Sequence, residues 1–272
     1  MSPQPLLSIE QVSKHFGGVR AVHACSLTLP PSEHGRGPSA TTSDSAAAAA
    51  GDAAGALSEA SPASAAGGIF GLIGPNGSGK TTLFNLITGL YRIDAGRIRF
   101  RGRRIDGHKP HQIARAGIAR TFQIIRVFPE LTAFENLLVA TDDHRAEATR
   151  DQAEELLELV SLAHLRNEYA ANLSYGQQKL LEFARCLMRD PRLILLDEPA
   201  AGVNRTLLNS LIEHIARLSQ RGKTIFIVEH DMKVVMELCD SVFVLDQGEL
   251  IAQGPPAEIQ RDERVIAAYF GS

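Results

Sequence analysis

Gly74-Pro75-Asn76-Gly77-Ser78-Gly79-Lys80-Thr81-Thr82 is the stretch from which the fold can be read. A short apolar run, Ile69-Phe70-Gly71-Leu72-Ile73, precedes it, and a helical pattern, Leu83-Phe84-Asn85-Leu86-Ile87, follows. Strand, glycine-rich loop and helix in that order are the context of a phosphate-binding loop. Glycines let backbone N–H groups turn inward and approach phosphate oxygens with no Cβ in the way. Lys80 supplies a point charge for the β- and γ-phosphates, and Thr81 a hydroxyl for Mg²⁺. The helix N-terminus adds partial positive charge beneath the anion.

The 272 residues suffice for one large α/β domain with a smaller lobe, and 44% hydrophobic residues is ordinary for a globular protein. A formal net charge of -3 gives no electrostatic footprint for nucleic acid, so no such partner is expected. Cys25, Cys186 and Cys239 are scattered without metal-ligand spacing and read as buried thiols. Residues 1–7 lack a basic stretch followed by an apolar one, so no secretory signal is expected. No run of large apolar residues reaches membrane-spanning length. Work at a membrane would therefore need a partner to hold the chain there.

Residues 6–30 read as two strands about a turn at Gly17-Gly18. From Ser32 to Ala66 the composition shifts to Ala, Ser, Gly, Thr and Pro, with Leu57 the lone large apolar residue. Such a stretch buries too little surface to offset its ordering entropy, so 32–66 reads as a disordered excursion from a hairpin loop. Arg97-Ile98-Arg99-Phe100-Arg101 alternates as a half-buried strand with a solvated arginine face. A short helix near His111–Ala116 leads to Arg120-Thr121-Phe122-Gln123.

A helical lobe is expected over residues 131–190, where Ala153, Leu156, Leu157 and Val160 recur at helical spacing. Strands at Leu193–Leu196, Thr224–Val228 and Val242–Leu245 then alternate with helices at Arg205–Ser219 and Asp231–Leu238. This predicts a mainly parallel sheet with right-handed crossovers, into which the lobe is inserted.

Leu193-Ile194-Leu195-Leu196-Asp197-Glu198-Pro199 is an apolar strand ending in two acids. Ligands of open α/β sheets sit beyond the carboxyl ends of strands, which places both acids near the phosphate loop. Asp197 suits Mg²⁺ coordination through water, and Glu198 is the candidate general base for an attacking water. His230 ends the next strand at the same sheet edge, within reach of a γ-phosphate. Leu173-Ser174-Tyr175-Gly176-Gln177-Gln178 opens a helix with Ser174 as N-cap. Alone it reads as an ordinary capped helix. Beside a phosphate loop it reads as a second anion site on another lobe, with Gly176 permitting close approach. One nucleotide cannot easily use both lobes of one chain, which suggests a dimer.

Gly74–Thr81, Gln123, Leu173–Gln178, Leu193–Glu198 and His230, in this order, resemble the ATPase subunit of an ATP-binding cassette (ABC) transporter. The resemblance covers residues 6–270 apart from the Ala/Ser-rich stretch. Arg120–Gln123, Tyr175–Gln178, Glu198–Gly202, Glu229–Met232 and the tail Val265–Gly271 are similar to the branched-chain amino acid (Liv) importer ATPases. The resemblance implies an α/β fold: a P-loop NTPase (RecA-like) core with an antiparallel β subdomain and an inserted α-helical subdomain. It implies hydrolysis of ATP with Mg²⁺ to drive import of branched-chain or other amino acids. A urea or amide importer, or a non-transport ABC ATPase, is the alternative. A GTP switch is disfavoured, since no Asn-Lys-x-Asp segment is present.

Residue by residue, it implies that Phe16 stacks on adenine, a core phenylalanine being the other reading. Gln123 would contact Mg²⁺ and the attacking water and link the site to the transmembrane partner. Ser174, Gly176 and Gln177 would meet the γ-phosphate across a head-to-tail dimer with a sister ATPase. Asn204 stands where many cassettes carry Asp. The implied partners are membrane permease subunits and, indirectly, a periplasmic solute-binding protein. The implied location is the cytoplasmic face of the inner membrane, as a peripheral subunit.

Overall fold

The computed structural model of the protein describes residues 4–31, 67–122, 124–143 and 145–270, Phe270 without its side chain. Gln123 and the 32–66 stretch, both singled out above, lie outside the described residues.

In chain order, strands β1 (Leu7–Phe16), β2 (Val19–Leu29) and β3 (Ile69–Ile73) lead into helix α1 (Lys80–Ile87). Next come β4 (Ala95–Phe100), β5 (Arg103–Arg104), α2 (Pro110–Ala116) and β6 (Ile118–Arg120). The helical stretch holds α3 (Ala133–Leu138), α4 (Glu147–Leu159), two short 3₁₀ turns and α5 (Tyr175–Leu187). The chain then runs β7 (Leu193–Asp197), α6 (Arg205–Gln220), β8 (Thr224–Val228), α7 (Met232–Leu238) and β9 (Ser241–Asp246). It finishes with β10 (Glu249–Gly254), α8 (Pro256–Ile259) and α9 (Glu263–Phe270).

Two sheets organise these elements. One has the order β2-β1-β4-β5 and is antiparallel; the other has the order β10-β9-β3-β8-β7-β6. In the second, β9, β3, β8, β7 and β6 run parallel and β10 pairs antiparallel at one edge. The sequence pattern missed β6 and β10: β6 is three residues long and β10 is half-buried with a weak alternation. Parallel strands covered on both faces need no alternation, and β3, β7 and β8 are buried at every position.

The hairpin reading of residues 32–66 is corrected by the topology. β2 belongs to the antiparallel sheet and β3 to the parallel one, so Pro31 and Gly67 are the ends of a connection between sheets. Sequence adjacency of two strand patterns does not reveal pairing, which is a tertiary choice. The arginine-bearing strand is one residue shorter than expected, with Arg101 in the turn after it at φ +50°; Ile98 and Phe100 are buried, while Arg97 is exposed and Arg99 sits 3.5 Å from Glu10. Ala153, Leu157 and Val160 are likewise buried in the core.

Apolar side chains on either face of the parallel sheet form two clusters. At the centre of one, Phe226 packs its ring 5.2 Å from Phe84 and 5.9 Å from Phe243, with all three fully buried. This cluster fixes α1, and therefore the loop before it, against the sheet. Phe226→Ala is expected to cost about 3–5 kcal/mol by lost transfer energy and cavity formation. Urea denaturation of the full chain measures that loss directly.

Candidate active site

The segment Gly74–Gly79 leaves β3 and turns into α1, whose N-cap, Gly79, has φ +104° and offers no side-chain cap. No acidic residue stands in the first turn of the helix itself. Gly74 and Gly79 are dictated by space as well as by φ. A Cβ on Gly74 would lie 1.9 Å from the Leu245 carbonyl oxygen, and one on Gly79 2.2 Å from that of Ala21. Gly77, with φ +79°, faces open space instead. The loop is thus wedged between β2 and β9 on one side and open on the other, which fits a phosphate cradle. The β9–β10 turn braces it further: the Gly248 N–H donates to Ser78 O at 3.0 Å.

Lys80 is buried, and its ammonium donates to the Gly74 and Pro75 carbonyls at 2.8 and 2.7 Å. Desolvation pulls its pKa down, while the charges of Glu198 and Asp197 push it up. The ends of β3 and β7 flank that of β8 at one sheet edge, because Leu72 pairs with Val228 and Val228 with Asp197. Thr81 is exposed in the first turn of α1, and Thr82 is half-buried beside it.

Asp197 is almost fully buried and meets Arg120 at 2.7 Å. The same guanidinium donates to Asn85 Oδ1 on α1 at 2.6 Å and lies over the rings of Phe84 and Phe122. Glu198 follows with φ +49°, a left-handed conformation costing a non-glycine residue ~1–3 kcal/mol. Its N–H donates to Val228 O at 2.9 Å, and its carboxylate lies 4.0 Å from His230 Nδ1. His230 is exposed, whereas Glu198 is half-buried. The structure therefore gathers Lys80, Asp197, Glu198 and His230 at one sheet edge.

Phe16 is exposed at the tip of the β1–β2 hairpin, edge-on to Tyr91 at 5.2 Å, which disfavours the core reading. Ser174 caps α5 in a reciprocal box with Gln177: its Oγ accepts from the Gln177 N–H at 3.3 Å, and Gln177 Oε1 accepts from the Ser174 N–H at 2.9 Å. Ser174 is exposed, and its hydroxyl proton is not used in the cap. Among the described residues no hydrogen bond joins Ser174, Gly176 or Gln177 to the phosphate loop of the same chain. Gly176 has an internal reason as well, since a Cβ there would fall 2.3 Å from Leu207 Cδ2. Asn204 caps α6, its Oδ1 accepting from the Leu207 N–H at 2.9 Å.

As a P-loop, strand-end acids and a serine-capped helix in this topology, the arrangement has close counterparts. Residues 57–201 match the ABC transporter family model. This chain belongs to the ABC transporter family. Residues 249–272 of the cassette also match the model for branched-chain amino acid ATP-binding cassette transporters. It is 44% identical to the high-affinity branched-chain amino acid transport ATP-binding protein BraF of Pseudomonas aeruginosa, over 98% of each chain. It is 38% identical to the corresponding LivG protein of Escherichia coli K12, again over 98% of each. Among solved structures, a nucleotide-free ATP-binding cassette from an ABC transporter superposes with a TM-score of 0.79 at 29% identity, covering 98% of this chain and 100% of that one. The ADP conformation of the cassette MJ1267 gives a TM-score of 0.78 at 30% identity, covering 98% and 99%.

Sequence reasoning missed a set of buried charges around this cassette's site. Besides Arg120, they are Lys179 and Glu182 on α5 and Glu229 at the end of β8. Glu229 accepts the Ala200 N–H at 2.8 Å, and burial raises its pKa. Glu182 accepts backbone N–H groups of Arg126, at 3.1 Å, and Phe122, while burial pushes its carboxyl up to about 7. The available signal was a charge placed among Leu180, Leu181, Phe183 and Ala184 on a helix face that a core requires. Because the folded pKa of Glu182 lies above its unfolded value, this residue contributes stability at low pH that is lost as pH rises through about 7. Between mildly acidic and neutral pH the wild type should therefore lose thermal stability relative to Glu182→Gln, as read from paired Tm measurements across that window.

Proposed function

We propose that this chain is the ATP-hydrolysing subunit that energises an importer of branched-chain or other amino acids. One observation carries the chemistry: Lys80 of the phosphate loop and the Glu198–His230 pair converge on a single sheet edge. The match of residues 249–272 and the full-length likeness to LivG and BraF carry the substrate class. That tail likeness is what disfavours a urea or amide importer and a non-transport cassette. Residues 6–270 then form one cassette domain, with 131–190 as its helical subdomain.

In this reading Gly74–Thr82 cradles the triphosphate through backbone N–H groups and Lys80. Phe16 supplies an exposed ring for the adenine. Glu198 takes a proton from the attacking water as its oxygen bonds to the γ-phosphorus and the bond to the β-phosphate oxygen breaks. His230 hydrogen-bonds the γ-phosphate and, by its proximity, orients the Glu198 carboxylate. A hard cation such as Mg²⁺ suits the oxygen donors of Thr81, Asp197 and Gln123, and when bound it would neutralise charge developing on the phosphates. Ser174, Gly176 and Gln177 would serve the nucleotide of a sister ATPase arranged head to tail.

Among the described residues no helix is long and apolar enough to cross a membrane. A peripheral place on the cytoplasmic face, held by permease subunits, follows from the role. A groove of about 550 Å³ supports it, lying between α2, α5 and the stretch after β6. Ile113, Phe122, Val127 and Phe128 line it, and exposed Ile124 lies in the same stretch. This is an apolar seat for a permease segment, and a periplasmic solute-binding protein would act only through that permease.

Glu198→Gln is expected to retain ATP binding while turnover falls by ~10²-fold or more. Equilibrium binding with steady-state phosphate release measures both, and undiminished turnover would remove Glu198 from the base role. Removing residues 32–66 should leave hydrolysis near that of the full chain, since Gly67 precedes β3 at the end away from the phosphate loop and Pro31 follows β2 at the end away from the Phe16 hairpin tip. A collapse in turnover of the folded deletion variant would refute this.

A further inference from the structure

The helix that starts at Ser174 also reaches the catalytic strand end, through one side chain. We propose that Lys179 is a positioning residue that holds the Glu198–Ala201 turn in its working conformation and couples that turn to Ser174. This inference rests on the function just proposed and adds a residue that no family motif above assigned.

Lys179 is 8% exposed, and its Nζ donates to Glu198 O at 3.1 Å and to Ala201 O at 2.5 Å. Those carbonyls bound a turn of four residues. Pro199 has no N–H to donate. The Ala201 N–H closes the turn on Glu198 O at 3.1 Å, and the Ala200 N–H is taken by Glu229 at 2.8 Å. An ammonium on one side and a carboxylate on the other therefore grip this backbone. Burial lowers the Lys179 pKa, and the negative charges of Glu229, Glu182 and Glu198 oppose that shift and favour the cation. An uncharged side chain of similar shape would take away the ammonium donated to the Ala201 carbonyl and leave the Glu198 carbonyl with the Ala201 N–H alone.

The grip falls where the backbone is strained. Glu198 has φ +49°, and a left-handed glutamate persists only where its surroundings over-determine it. Release of that conformation would re-aim the carboxylate that lies 4.0 Å from His230. A second contact ties the same helix to the same turn: the Tyr175 ring lies against Gly202, where a Cβ would stand 3.0 Å from it. Ser174, Tyr175 and Lys179 sit within the first turns of one helix. A shift of that helix when Ser174 meets an anion is therefore transmitted to the turn carrying Glu198. The nucleotide of one site would set the geometry of the base belonging to the other.

The test uses the full chain with Lys179→Met, Lys179→Arg and Ser174→Ala, alone and combined. Lys179→Met should leave ATP affinity unchanged and lower kcat by about 10- to 100-fold, the scale of a small misplacement of a catalytic group. Lys179→Arg, which keeps a cation with several donors, should restore most of the rate. Adding Ser174→Ala to Lys179→Met should give little further loss, as for residues acting as one unit. An unchanged kcat in Lys179→Met overturns the proposal, and so do losses that simply multiply. If Lys179→Met does not fold, the same cycle with Lys179→Gln decides between those outcomes. A wild-type chain without ATPase activity would sink the proposed function itself. An ATPase silenced by Glu198→Gln yet indifferent to Lys179 would sink this inference alone.

Discussion

The parallel ladder of β3, β8 and β7 is the constraint on which the rest of the molecule depends. Leu72 pairs with Val228, and Val228 pairs with Asp197. Three segments far apart in sequence therefore leave the sheet at one edge, each on reaching its carboxyl end. In parallel sheets that edge is where loops diverge and ligands fit. A slip of one residue in either pairing would exchange the faces of a strand and separate Lys80 from Glu198. The aromatic cluster of Phe84, Phe226 and Phe243 guards the register by filling the space between α1 and the sheet.

Around that edge the protein has placed charges where water is nearly absent. Arg120 pairs with Asp197, Lys179 faces carbonyls, and Glu229 accepts a backbone N–H. Buried ions are costly unless their hydrogen bonds are met, so each one restricts its neighbours to a narrow set of positions. The cost is offset only in one arrangement. That is the physical sense in which these residues hold a site: misplacement of the β7 end by even a small distance leaves several of them unsatisfied together.

The antiparallel sheet contributes in a different way. It adds no acid or base to the edge, yet the Ala21 carbonyl stands where a side chain at position 79 would go. The phosphate loop is thus pressed between two sheets and open only where an anion can enter. Near it, the hairpin of β1 and β2 carries Phe16 exposed. Meanwhile α5 presents Ser174 outward and keeps Lys179 and Glu182 inward, so one helix serves a surface contact and the interior at once.

Nine consecutive residues, Gly74 to Thr82, carry their own chemistry, and for that reason the phosphate loop, the strand before it and the helix after it were legible from local pattern. Apolar runs ending in acids likewise revealed β7 and β8, because a fully buried parallel strand must be apolar throughout. Local capping made Ser174 legible, since its partner Gln177 lies three residues on. The tertiary structure alone decided that β2 and β3 part into separate sheets, and that Arg120 meets Asp197 across 77 positions of chain. It alone brought Lys179 to the carbonyl of Glu198, 19 residues away. A propensity or a spacing reports what neighbours in sequence can do, whereas a buried charge is defined by partners that only packing supplies.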